Sequence, residues 1–164
     1  MARKVLVAVN LLLLVGVAAL FLFRSEEDRL RSAVQRVAEV LRKTGDEPEL
    51  AVVGRGRALD ALLTPDCVAR FSAPVPGALR GRKEIVGAFM HLWKGMPALH
   101  VHFRDITIER ADDATAATVT LLAAADAGDR HEERAVRMEW VLQDGDWRIA
   151  SAEELSRESN RPAP

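Results

Sequence analysis

The side chains able to do chemistry are few and scattered along the chain. His100 and His102 stand two apart, so on a strand their imidazoles share one face, a geometry that holds a metal when a third ligand joins it. No third ligand accompanies them, and the alternation of Leu99, Val101 and Phe103 turns the histidines away from the core. Exposed imidazoles and no metal are therefore expected. His91, next to Leu92 on a helical stretch, and His131, beside Glu132 and Glu133 at a strand start, read as surface residues rather than bases. The lone Cys67 excludes an intramolecular disulfide and a zinc site built from cysteines. With Val68 beside it and Phe71 nearby, it reads as a small core residue. Gly54, Arg55, Gly56 and Arg57 carry only two glycines and follow no clear strand, which makes a plain turn and not a phosphate loop.

Large rings offer a different chemistry, that of an apolar wall. Trp140 shares the strand parity of Val136 and Met138 and so faces the interior, where such a ring closes a core or lines a hydrophobic pocket. The candidate pocket residues are Phe71, Phe89, Trp93, Arg134, Met138, Trp140 and Trp147. Arg134 has the parity of Trp140. With Asp105 and Glu153 it is a polar residue whose inward placement would require a partner or a role.

The elements that must position these groups follow from the periods. Ser25 with Asp28 makes a variant capping box, and Leu30, Ala33, Val34, Val37 and Leu41 recur at helical spacing until Thr44, Gly45 and Asp46 stop the helix. Residues 47–56 read as a connection with a short helical piece at 50–53. Residues 57–63 make a second short helix, stopped by Thr64, Pro65 and Asp66. A short strand over 67–71 and a proline-rich loop over 73–77 precede a third helix over 82–93, with Ile85, Phe89 and Leu92 on one face. From Ala98 the period becomes two. Leu99, Val101 and Phe103 have one parity and Ile106 and Ile108 the other, so a bulge is expected at Arg104 and Asp105. Strands follow over 114–125, 134–142 and 147–152, the last two joined at Asp144 and Gly145. Helices followed by antiparallel strands indicate an α+β fold.

Composition locates the domain. Residues 5–23 form a 19-residue run without a charge, in which only Asn10 and Gly16 are not hydrophobic. As a helix it spans about 28 Å, near the thickness of a bilayer's hydrocarbon core. Val17, Ala18 and Ala19 resemble a signal cleavage site, yet Leu20 to Phe23 carry the apolar run past it, whereas processing occurs beyond the hydrophobic core. Residues 1–24 are accordingly expected to be a retained single-pass anchor, with secretion after cleavage as the alternative. The amino terminus, Arg3 and Lys4 hold the short tail in the cytoplasm and place the domain on the outer side of a bacterial inner membrane. Without the run, the hydrophobic share falls from 49% to about 45%, ordinary for one globular domain over residues 25–155. Residues 156–164 read as a disordered tail. A net charge of −1, with both signs mixed along the chain, argues against a nucleic-acid partner.

The order of these pieces resembles the nuclear transport factor 2-like superfamily, in particular its SnoaL-like bacterial branch, over residues 28–154. The resemblance rests on Ala61-Leu62-Leu63-Thr64-Pro65-Asp66, the Pro/Gly loop, Gly81-Arg82-Lys83-Glu84-Ile85 opening a helix, and long strands ending in Asp146-Trp147-Arg148-Ile149. It implies a cone-shaped, curved antiparallel sheet wrapped around the N-terminal helices, with a pocket at the open end. The family holds dehydratases, isomerases, cyclases and epoxide hydrolases beside domains without activity, so fold leaves function open. The isomerase branch's aspartate base, nine residues before Gly81, corresponds to Ser72. Its second aspartate falls near 136–138, where no carboxylate occurs, and its tyrosine has no counterpart because the chain has none. The expected function is a membrane-anchored, noncatalytic domain that binds a protein partner or a small apolar ligand, without a cofactor. The alternatives are a SnoaL-like enzyme on a lipophilic substrate and a module that homodimerises through the outer sheet face, with Arg137 and Glu139 pairing across the interface.

Overall fold

The computed structural model describes residues 26–72 and 77–155. The expected anchor over 5–23, the capping Ser25, most of the Pro/Gly loop and the tail lie outside the described residues. Among the described residues no helix is long and apolar enough to cross a membrane. Two compact units divide the chain, Met1–Ser32 and Ala33–Pro164. Of the first, only the opening of helix α1 (Glu26–Leu41) is described. Its first turn carries Glu26, Glu27 and Asp28, which complement the positive end of the helix dipole, and Arg29 and Arg31 pair back onto Glu26 and Glu27.

The second unit holds the rest of α1, then α2 (Glu49–Leu62), β1 (Leu63–Phe71), β2 (Gly77–Arg80), α3 (Arg82–Gly95), β3 (His100–Arg110), β4 (Ala116–Ala127), β5 (Arg130–Gln143) and β6 (Asp146–Glu154). The six strands form one curved sheet in the order β2-β1-β6-β5-β4-β3. The stripe expected on α1 is present in this unit: Ala33, Val34 and Val37 are buried.

Two expectations about order are corrected. The sheet is mixed and not antiparallel throughout, because β1 runs parallel to β6. A second strand, β2, pairs antiparallel with β1 between the proline-rich loop and α3, where no strand was expected. A parallel neighbour far along the chain leaves no local turn signal, so only the tertiary fold reveals it.

The connection expected over 47–56 is also corrected. From Glu49 onward it is the first half of α2, longer than the helical piece expected at 50–53, and Gly54 and Gly56 lie inside that helix. Gly56 is buried beneath α3, where a Cβ would stand 3.1 Å from Met90 Sδ. A glycine that reads as a turn in sequence here admits a close helix–helix approach. β1 likewise begins at Leu63, four residues before the expected start. Pro65 lies in the irregular stretch between the Leu63 and Val68 pairings, where a residue without an N–H does no damage to the ladder.

The strand periods hold. The β3 ladder shifts between Arg104 and Thr107, and Asp105 has φ +52°, which is the bulge that puts Val101 and Ile108 on one face. Asp144 and Gly145, both at positive φ, join β5 to β6 as a type I′ turn requires. Inward residues of the long strands, Val119, Leu121, Val136, Met138, Trp140 and Ile149, form the core.

Candidate functional site

The inner sheet face leaves a hollow under α3. A cavity of about 270 Å³ has a floor of Leu63, Cys67 and Ala69 from β1, Met138 from β5 and Ile149 and Ala152 from β6. Val37, Leu41 and Leu59 close one side, Phe71 and Leu79 the sheet edge, and Ile85, Ala88, Phe89 and Leu92 the roof. The register explains the hollow. Ala69 pairs with Ala152, which pairs with Met138, so two of three adjacent floor positions carry a single methyl. No charged side chain lines it. Burial pushes the Cys67 thiol up to about 11, with the charge of Asp66 adding to the effect. A thiol so raised is not a thiolate near neutral pH and is a poor nucleophile.

A second cavity of about 190 Å³ lies further along α3. Leu41, Phe89 and Leu92 line both cavities, and Lys43, Trp93, Met96, Leu99, Val101 and Ala125 complete the second. Lys43 is buried, yet its ammonium is satisfied: Nζ donates to Trp93 O at 2.9 Å and to Met96 O, capping the carbonyl end of α3. Phe89 meets Trp93 edge-on at 4.7 Å between centroids, and the Arg55 guanidinium lies 4.9 Å over the Trp93 ring. Glu47 fixes Arg55 through two hydrogen bonds of 2.8 and 2.9 Å.

A polar cluster marks the end of the same sheet face. Glu154 lies two residues beyond Ala152 and so on the same face, and Arg134 shares the parity of Met138. Ser72 Oγ donates to Glu154 Oε2 at 2.6 Å and its N–H donates to the same oxygen at 2.9 Å. Arg134 Nη1 donates to both Ser72 Oγ and Glu154 Oε2 at 2.9 Å, and Nη2 donates to Glu132. The hydrogen bonds from Ser72, then Arg134, hold the Glu154 carboxyl below its ordinary range. A carboxylate stabilised in its charged form is a weak base, so it does not activate the Ser72 hydroxyl as a nucleophile.

The structure divides the residues singled out from sequence. Phe71, Phe89 and Met138 line the first cavity, and Phe89 and Trp93 the second. Trp140 and Trp147 line neither. Trp140 has no exposed surface and Trp147 almost none, so both fill the core. Arg134 is committed to the polar cluster. Of Asp105 and Glu153, the former occupies the exposed bulge and the latter lies 3.6 Å from Arg137 on the outer face. Glu139 accepts from Thr118, so within one chain Arg137 and Glu139 each have partners other than one another. His91, His100 and His102 are exposed, and no group of three metal-ligating side chains occurs among the described residues. Sequence reasoning missed the contribution of α1 to the cavity and, on β1, the lining residues other than Phe71, and it missed Glu154, which parity with Ala152 on β6 would have placed inward.

The geometry now meets its relatives. The profile of the SnoaL-like domain matches residues 49–151. The chain belongs to the SnoaL-like domain family. No curated protein matches it. Among solved structures, this SnoaL-like chain is similar to a nuclear transport factor 2-like protein with a cystatin-like fold from Novosphingobium aromaticivorans, with 16% identity, TM-score 0.61, and 92% and 94% of the two chains covered. A protein of unknown function from Mycobacterium tuberculosis is 15% identical with TM-score 0.61, covering 77% of this chain and 69% of its own. A putative dehydratase from Streptomyces avermitilis is 14% identical with TM-score 0.59, covering 80% and 98%. At these identities the likeness is one of fold.

Proposed function

We propose that this protein is a noncatalytic binding domain, tethered to the membrane through residues 5–23, that takes a small apolar ligand in the first cavity. One observation carries the reading: the 270 Å³ hollow is walled by apolar side chains and by a thiol that stays protonated. General acid–base chemistry needs a titratable group within reach of the reacting atom, and nucleophilic catalysis needs an activated one. The SnoaL-like fold is compatible with either binding or catalysis, but this hollow has the lining of a binding site. The uncharged run before the domain supports delivery of lipophilic compounds from a bilayer.

The test uses the full chain in lipid nanodiscs, where Cys67 is the single cysteine. Its modification by a small apolar thiol reagent is followed by mass spectrometry with and without decanol. Occupancy of the cavity is expected to slow modification at least tenfold. An unchanged rate at saturating decanol would sink the reading.

A further inference from the structure

We infer that the ligand is a single unbranched alkyl chain that occupies both cavities in series, a conclusion that rests on the binding reading above and narrows its ligand class. The first cavity alone, at 270 Å³, falls below the ~300–1,000 Å³ usual for small-molecule sites. With the second, the space is about 460 Å³, inside that range. The two hollows follow the axis of α3. Ile85 lines only the first, Phe89 and Leu92 line both, and Trp93 lines only the second. From Ile85 to Trp93 that row covers about 12 Å. Among the described residues, the side chains that line both hollows are those of Leu41, Phe89 and Leu92, all apolar and half-buried.

Side chains shared in this way select by cross-section. A flexible chain one methylene wide passes between these side chains after a rotamer change, whereas a fused-ring compound would have to displace α3. At the roughly 30 Å³ that a liquid-sized group occupies, the first cavity holds about nine methylenes and the two together about fifteen. The second cavity suits a tail and not a head group, because its one ammonium, on Lys43, is already held by two carbonyls.

Two built-in reporters separate the cavities. Cys67 lines the first alone, and Trp93 lines the second alone. The other two tryptophans, Trp140 and Trp147, line neither. The experiment uses the full chain in nanodiscs with straight-chain primary alcohols, hexanol to hexadecanol, brominated at the tail carbon. Every length is expected to protect Cys67. Tryptophan emission is expected to stay unchanged for chains up to about nine carbons and to fall by about a third for the longest, because bromine then reaches one of the three tryptophans. Affinity is expected to rise about fourfold per added methylene up to about fifteen carbons. Trp93→Phe should abolish the quenching and keep the protection. Ala125→Leu, which takes up about half of the second cavity of about 190 Å³, should end the gain at about twelve carbons.

Protection of Cys67 without quenching at any length would overturn the two-cavity inference and leave the binding reading intact. Quenching that persists in Trp93→Phe would overturn it as well. No protection at any length would overturn the binding reading, and this inference with it.

Discussion

Replacing Ala152 by leucine tests the hollow through the sign of a stability change. Ala152 is buried on β6 between Ala69 of β1 and Met138 of β5, and all three line the first cavity. Leucine adds three carbons, about 90 Å³ at the volume of a liquid-sized group, against the 270 Å³ available. Each methylene taken from water contributes about 0.8 kcal/mol, so the gross gain is about 2.4 kcal/mol. Loss of leucine rotamer freedom offsets about 0.5–1 kcal/mol of that. A net stabilisation of about 1.5 kcal/mol corresponds to a rise in Tm of about 5 °C for a domain of this size. In a filled core the same change is overpacking and costs about 1–3 kcal/mol. Thermal unfolding of the full chain, followed by tryptophan emission without added ligand, reads the sign directly. The substituted chain should also show weaker protection of Cys67 by decanol, because leucine takes about a third of the first cavity of about 270 Å³. A Tm several degrees below that of the parent would refute the cavity, and with it the reasoning from small side chains on the floor.

Three further outcomes follow from other parts of the structure. Trp140→Ala removes a side chain with no exposed surface and should cost about 3–5 kcal/mol in urea unfolding; a loss under 1 kcal/mol would show that the ring is not core. Lys43→Met leaves Trp93 O and Met96 O without their charged donor, which should cost about 1–3 kcal/mol and speed amide exchange in the last turn of α3. His131 should titrate above the ordinary histidine range, chiefly because its Nδ1 bonds Asp126 Oδ1 at 2.6 Å, with Glu133 adding to the effect. A raised folded-state value means that the interaction stabilises the fold below pH about 6.5 and fades as pH rises through the folded value. The same bond lowers the Asp126 value, so at the acid end the contribution is lost as Asp126 protonates. Proton NMR of His131 in the parent and in Asp126→Asn checks this, and the substitution should return the midpoint toward 6.5.

What was legible in the sequence were features fixed by neighbours a few positions apart. The period-two runs from Leu99 onward, the parity change that demands a bulge at Arg104 and Asp105, and the Asp144–Gly145 turn all appear where local geometry puts them. The features missed depend on distant partners. Gly54 and Gly56 look like a loop because glycine weakens helices; only Met90, arriving from α3, shows why Gly56 is tolerated. The parallel pairing of β1 with β6 joins residues more than eighty positions apart. The site followed the same rule. Phe89 and Met138 were found from the face they occupy, but Trp140 and Trp147 were not separable from them, because parity tells inside from outside and not core from cavity.

Side-chain size, read together with register, makes that last distinction. Along the inner face Val119, Leu121 and Trp140 are fully buried and line neither cavity. Cys67, Ala69 and Ala152 are small and adjacent, so the floor drops away from α3 there. A dry void of 270 Å³ would forgo up to about 6.5 kcal/mol at the cost per cubic ångström measured for engineered cavities. Opening to solvent reduces that figure, yet what remains is a sizeable part of the stability of one domain. Larger apolar side chains at Ala69 and Ala152 are expected to recover part of it, which the Ala152→Leu experiment tests. Natural sequences commonly leave stability unrealised, and under the binding reading proposed above these two facing positions make room for the occupant. The polar end of the same face points the same way. Ser72, where the isomerase branch carries its base, is locked to Glu154 and Arg134. Under the proposed binding reading, what the domain offers a ligand is therefore space and apolar surface, and selectivity comes from shape.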